Sequence, residues 1–280
     1  MKSSQYYIEK VLNNNAIVVK MPNKDSKILI GKGIGFHQKP YTYTTIHENQ
    51  IEKSFFNYDE TLKNQLIDLI SYIDEDIIEV SNDIIALAET EFGKLNTHIY
   101  ISLTDHISFA IDRIKHHLSI TNPFQATIQS ILKREYQIAK QAKIIIRNKL
   151  GVIIPEEEIG FIAFHINAAR ENIAVNFVVQ EMRIYKEVIK EIEQFTQKDI
   201  QSDLKDDLYY IIQSIIKKQN IPLFFIIKKI PFHQQDLDKR CEQFITHIFT
   251  YIASNIDSPL TENQKNILKA YIIYITRNEA

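Results

Sequence analysis

Two patterns of apolar and polar positions divide the chain. Residues 1–56 carry the short runs YYIEKVL, AIVVKM, KILI and YTYTTI, separated by NNN, PNKDS and GKGIG. β-Branched and aromatic residues in runs of this length, bounded by Asn, Pro and Gly, predict strands joined by turns. From Asp59 onward the apolar spacing is helical. Leu62, Leu66, Leu69, Ile70, Ile73 and Ile77 recur three or four residues apart, and similar stripes continue to the C-terminus. The segment NYDET (57–61) is the expected boundary between a small β module and a helical body.

The helical body contains a long-period repeat. Displaced by 109 residues, PEEEIGFIAFHINA (155–168) falls on QKNILKAYIIYITR (264–277), so that Ile159, Ile162, Ala163, Phe164 and Ile166 meet Leu268, Tyr271, Ile272, Ile273 and Ile275. The same shift carries TDHI (104–107) onto QSII (213–216). A period this long implies tandem domains rather than a solenoid of short repeats. The expected organisation is a small all-β domain at 1–56 followed by two all-α helical-bundle domains at 66–171 and 173–280.

Composition narrows the class. With 280 residues, 45% hydrophobic and 24% charged, the chain can bury more than one core. No apolar run approaches the roughly 18–20 residues that span a bilayer, and MKSSQYYIEK lacks a signal-peptide core. The single cysteine, Cys241, cannot form an internal disulfide, which fits a reducing compartment. The expected location is the cytoplasm. Charge is uneven: residues 1–56 hold eight Lys and four acids, about +4, so a net charge of −2 leaves −6 for the rest. A basic head on an acidic body favours contact with a polyanion at one end.

Candidate chemistry lies first in GKGIGF (31–36). Nucleotide-binding glycine loops need a helix immediately afterward, and a Thr/Tyr strand follows here. The glycines instead permit positive φ or close approach of another backbone, either nucleic acid or the chain's own hairpin. Lys32 can neutralise phosphate, and Phe36 is either a stacking platform for an unpaired base or a core aromatic. Asn13–Asn15 offer amides suited to base edges or a 2′-hydroxyl, or simply form a turn.

At this point the sequence resembles a known family. YIEKVLNNNAIVV, GKGIGFHQK and IEKSF follow the order and spacing of the co-antiterminator RNA-binding domain of BglG/SacY/LicT-type transcriptional antiterminators. LTDHISFAI and EIGFIAFHI resemble the first of that family's two phosphotransferase-system regulation domains. The resemblance implies a β module that dimerises and clamps an RNA hairpin, the ribonucleic antiterminator, so that an overlapping terminator cannot form. No DNA partner is implied. The matching RNA contacts are Lys10, Asn15, Gly31, Lys32 and Phe36. The family usually has Arg where Lys32 stands; Lys keeps the charge and loses the planar bidentate fork. A 56-residue module with four strands has a thin core and open edges, which agrees with a homodimer.

Histidines form the second constellation. Neutral imidazole is nucleophilic and can accept a phosphoryl group. The resemblance makes His106 and His165 the phosphoacceptors of the first regulation domain, phosphorylated with inhibitory effect by a sugar-specific permease of the phosphotransferase system. Asp105 is the expected orienting carboxylate for His106. His116 and His117 read as surface residues, while His98, His233 and His247 match no acceptor position. In the family the second regulation domain is phosphorylated by the phosphocarrier protein HPr. The 109-residue shift places His106 on Ile215 and His165 on Tyr274, neither of which can carry phosphate on nitrogen. Dependence on HPr is therefore expected to be lost.

The expected protein is not an enzyme and needs no cofactor or metal. One alternative is a helical metallo-phosphohydrolase using Asp105, His106 and His165, with the basic module as a targeting element. It lacks HExxH, a His-Asp order and any Cys partner. Another is a protein-interaction module that sequesters a phosphotransferase component.

Overall fold

The computed structural model describes residues 3–21, 26–55, 60–219 and 239–278. The β module is a five-stranded antiparallel sheet: β1 (Ser3–Asn13), β2 (Ala16–Lys20), β3 (Ser26–Ile30), β4 (Tyr43–His47) and β5 (Lys53–Phe55), in the order β4-β1-β2-β3-β5. The fifth strand, only three residues long, was not expected. Register follows the apolar pattern, with Ile17 opposite Leu29 and Val18 opposite Ile28. One face packs Ile8, Ile17, Val19, Leu29, Ile34 and Ile46 into a core. The opposite face, carrying Ala16, Val18, Ile28 and Ile30, is buried as well.

That second face meets helices of the same chain. α1 (Glu60–Tyr72) packs along β1, and Ile78 of α2 (Glu75–Phe92) shares a cavity lining with Ala16 and Ile30. The thin core inferred from module size is thus thickened within one chain, which weakens the size argument for a dimer.

The next helices along the chain are α3 (Ile99–Lys115), α4 (Gln125–Ile131), α5 (Lys133–Leu150) and α6 (Glu156–Arg170). α2 and α6 both pack on α3. After them come α7 (Val175–Thr196), α8 (Ser202–Ile216), α9 (Lys239–Asn255) and α10 (Glu262–Asn278). Residues up to 121 together with 137–172 form one compact unit; residues 122–136 with those from 173 onward form another. In the second unit α7, α8 and α10 pack pairwise, the arrangement that α2, α3 and α6 show in the first. Among the described residues, no helix is long and apolar enough to cross a membrane.

Candidate functional site

The turn at residues 31–38 is built from backbone outward. Gly31 donates to the Asn15 carbonyl at 3.0 Å and Gly35 to that of Asn14 at 2.8 Å, which seats this turn on the β1–β2 turn. A Cβ on Gly31 would lie 1.8 Å from the Gln50 carbonyl oxygen, and one on Gly35 would lie 2.1 Å from that of Asn13. The close backbone approach that these two glycines permit is therefore the chain's own. Gly33 takes a positive φ of 70° with open space beside it. Its N–H donates to Asn15 Oδ1 at 2.6 Å. Asn15 thus organises the turn with one end of its amide, while the other end, Nδ2, donates to Glu75 Oε2 at 3.1 Å.

Asn15, Gly31 and Lys32 line one cavity together with Asn13, Glu52 and Glu75. Lys32 is exposed. Phe36 is 57% exposed, with its ring centroid 4.0 Å from that of His37. The core-aromatic reading of Phe36 fails, because Ile34 fills the core from this turn. Lys10 is exposed on β1, opposite Val18. The strand reading passed over Tyr41 and Tyr43, which are 74% and 69% exposed. Their place at a sheet edge, in a run with few apolar residues, is the signal that would have found them. Aromatic rings open to solvent on a module with an excess of lysine suit unpaired bases.

The second site joins α3 to α6. Asn96 fixes their ends: its N–H donates to the Ala169 carbonyl at 3.1 Å, and its Oδ1 accepts from the His98 N–H at 2.8 Å. His106 and His165 then face each other, ring centroids 4.8 Å apart. Each helix also contributes a charged residue seven positions, or two turns, away. Glu158 of α6 is 1% exposed; its Oε1 accepts from Arg113 at 2.7 Å, and its Oε2 lies 3.2 Å from His106 Nε2. Burial alone would raise the Glu158 carboxyl, but His106 and Arg113 outweigh it and hold the group below its ordinary value. Its position in the first turn of α6, behind Pro155, adds the favourable end of the helix dipole.

His165 is half-buried with its Nδ1 shut from solvent and unbonded. Burial, then the charges of His106 and His98, push its pKa well below the usual histidine range. At neutral pH it is an uncharged imidazole, the nucleophilic form.

The carboxylate beside His106 is Glu158, not Asp105. Successive helical residues point about 100° apart, so Asp105 leaves the histidine pair. Its charge instead bears on Tyr72, where burial (slight at this exposed ring) and the charges of Asp105 and Asp68 push the hydroxyl up. Glu158 and Arg113 were both missed in the sequence. Glu158 sits in PEEE, which reads as a solvated helix start, and only its spacing of seven from His165, matched by Arg113 and His106, gives it away. Among the described residues no three His, Cys, Asp or Glu side chains group as metal ligands. The hydrolase alternative needed Asp105 with the two histidines; a guanidinium and a different carboxylate stand there instead.

The 109-residue shift carries the whole cluster onto other chemistry. Ile215 is fully buried in α8, Ile267, the counterpart of Glu158, is 5% exposed, and Tyr274 is half-buried in α10. His247 is exposed, 3.8 Å from Glu191. His233 lies outside the described residues. His116 and His117 are exposed as expected.

Comparison with known proteins follows the same division. Residues 6–64 match the family model described as CAT RNA binding domain, and residues 82–169 match that of the PRD domain. The transcription antiterminator LicT of Bacillus subtilis (strain 168) is 36% identical over 183 residues, 65% of each chain. The beta-glucoside operon antiterminator of Dickeya chrysanthemi is 34% identical over 65% of this chain and 64% of its own. The match thus spans somewhat less than two thirds of those two relatives. Protein GlcT of Staphylococcus aureus (strain Newman) is 31% identical over 97% of this chain and 95% of its own. A crystal structure of GlcT CAT-PRDI superposes with a TM-score of 0.54 at 41% identity, covering 59% of this chain and 98% of that one. The two family matches, and a relative aligned over nearly its whole length, place the chain by descent: it belongs to the family of transcription antiterminators built from a CAT RNA-binding domain and PRD domains.

Proposed function

We propose that this protein binds a leader RNA hairpin through its β module and so keeps an overlapping terminator from forming in a sugar-utilisation operon. The carrying observation is the turn at 31–36, which holds its shape through the chain's own backbone and leaves Lys32 and Phe36 exposed. Lys10, Asn15, Gly31, Lys32 and Phe36 are the proposed RNA contacts. Lysines release counterions from phosphate, Asn15 Nδ2 supplies a donor, Gly31 lets its neighbours close in, and Phe36 stacks a base. The acting species is a cytoplasmic homodimer.

The first helical domain carries the control. His106 and His165 are the proposed phosphoacceptors, with a sugar-specific phosphotransferase permease as donor. An imidazole nitrogen takes the phosphoryl group as the donor's own bond to phosphorus breaks. The added charge, about −1.5 to −2 for a phosphoryl group, arrives beside ionised, buried Glu158. Arg113 then has two anions to serve, and the packing of α3 on α6 shifts toward an arrangement less able to hold RNA. The second helical domain, 173–280, is a degenerate copy. Buried Ile215 and Ile267 replace the polar cluster, so the domain serves dimerisation and answers to no HPr signal.

The test of the RNA reading is titration of purified full chain against a hairpin bearing two small internal loops, over a range of salt. Steep weakening with rising salt is expected; salt-independent or absent binding contradicts it. Incubation with phosphorylated HPr, followed by phosphate mapping under conditions that preserve phosphohistidine, tests the second domain. Phosphate on His233 or His247 with a gain in RNA binding contradicts the degenerate reading.

A further inference from the structure

The β1–β2 turn is already occupied. The Asn14 backbone N–H donates to Glu75 Oε1 at 3.0 Å, and Asn15 Nδ2 donates to Glu75 Oε2 at 3.1 Å. One carboxylate from the first residue of α2 thus takes the only hydrogen of the Asn14 amide and one of the two on Asn15 Nδ2. Asn15 Oδ1 is committed to the Gly33 N–H, so the side chain cannot turn over to offer a different edge without releasing the glycine turn. Asn13 Nδ2 reaches the Ile70 carbonyl of α1 at 3.4 Å. Glu52 and Glu79 line the same cavity as Glu75.

Two donors converging on one carboxylate form a seat for an anionic oxygen. An RNA phosphate or ribose oxygen brought to these donors would meet Glu75 in place, with two further carboxylates nearby, and like charges at contact repel. We propose that Glu75 is an internal competitor for RNA at Asn14 and Asn15, so that the β module must come away from the α1–α2 end of the helical domain before RNA is gripped. This rests on the reading of Asn15 as an RNA contact. It gives the regulation of that contact a physical form: the helical domain restrains the β module with an RNA-like acceptor.

The experiment compares full-length chains carrying Glu75→Ala, Glu75→Gln, Asp76→Ala and Asn15→Ala against the two-loop hairpin, with thermal melts alongside and amide hydrogen exchange read at Asn14. Removing the carboxylate is expected to raise affinity by about tenfold, the size of one charge-assisted hydrogen bond. Glu75→Gln, which keeps an acceptor and loses the charge, should give a smaller rise. Asp76→Ala, an exposed acid one residue along, should change nothing. Asn14 exchange should quicken in the Glu75 variants only. If Asn15→Ala weakens binding while Glu75→Ala leaves it unchanged or weaker, the competitor idea is overturned and the contact reading stands. If Asn15→Ala has no effect, the contact reading fails. Should no chain bind the probe, Asn14 exchange decides, and an unchanged rate in Glu75→Ala overturns the proposal.

Discussion

At the scale of single residues, exposure and pKa separate the two sites. Phe36 contributes its ring to solvent rather than to the core, so Phe36→Ala should weaken RNA binding by about 1–3 kcal/mol while the melting temperature stays within a degree or two. Paired titration and melting curves check this, and a collapsed melt would restore the core role. His165 gives a pH signature. Its folded pKa lies below the ordinary 6.5, so the unfolded chain binds a proton that the folded chain refuses. Stability from this group is therefore full above about pH 6.5 and falls as the solution is acidified below it, by up to about 1.4 kcal/mol per pH unit. Glu158 acts with the same sign at lower pH, since its folded carboxyl also sits below the unfolded 4.5. Denaturant melts from pH 7.5 to 5.5 should show the loss in the wild type and a flatter profile in His165→Gln.

At the scale of elements, the glycine turn explains why three glycines in five residues are not equivalent. Gly31→Ala and Gly35→Ala drive a Cβ into a carbonyl oxygen and should unfold or rearrange the β module. Gly33→Ala has open space and only a positive φ to overcome, costing about 1 kcal/mol. Circular dichroism of the three variants separates the cases. The four main strands were legible because short β-branched apolar runs are bounded by turn residues, as in AIVVK and KILI. β5 was not, since three residues carry no period. The histidine pair was legible only through motif context. Glu158 and Arg113 were hidden because each gains its meaning from the other helix, and Asp105 drew attention by adjacency in sequence, which on a helix is not adjacency in space. Gly31 and Gly35 could be read as close-approach positions, yet no local pattern said that the approaching backbone would be the chain's own.

At the scale of the whole molecule, the chain joins a CAT RNA-binding module to helices that bring His106, His165, Glu158 and Arg113 together, the proposed site of phosphorylation. α2 links the two: its first residue touches the β1–β2 turn, and its length packs on α3, which bears His106. Replacing both acceptors, His106→Ala with His165→Ala, should give read-through without inducer in cells, and His106→Asp should mimic repression. A double variant that still needs the sugar contradicts the assignment. The most direct single measurement is RNA affinity of the purified full chain before and after phosphotransfer, with the modified residue mapped. The account predicts nanomolar-to-micromolar, salt-sensitive binding before transfer, about a tenfold or greater loss after it, and phosphate on His106 or His165. Unchanged affinity with phosphate on those histidines would contradict it.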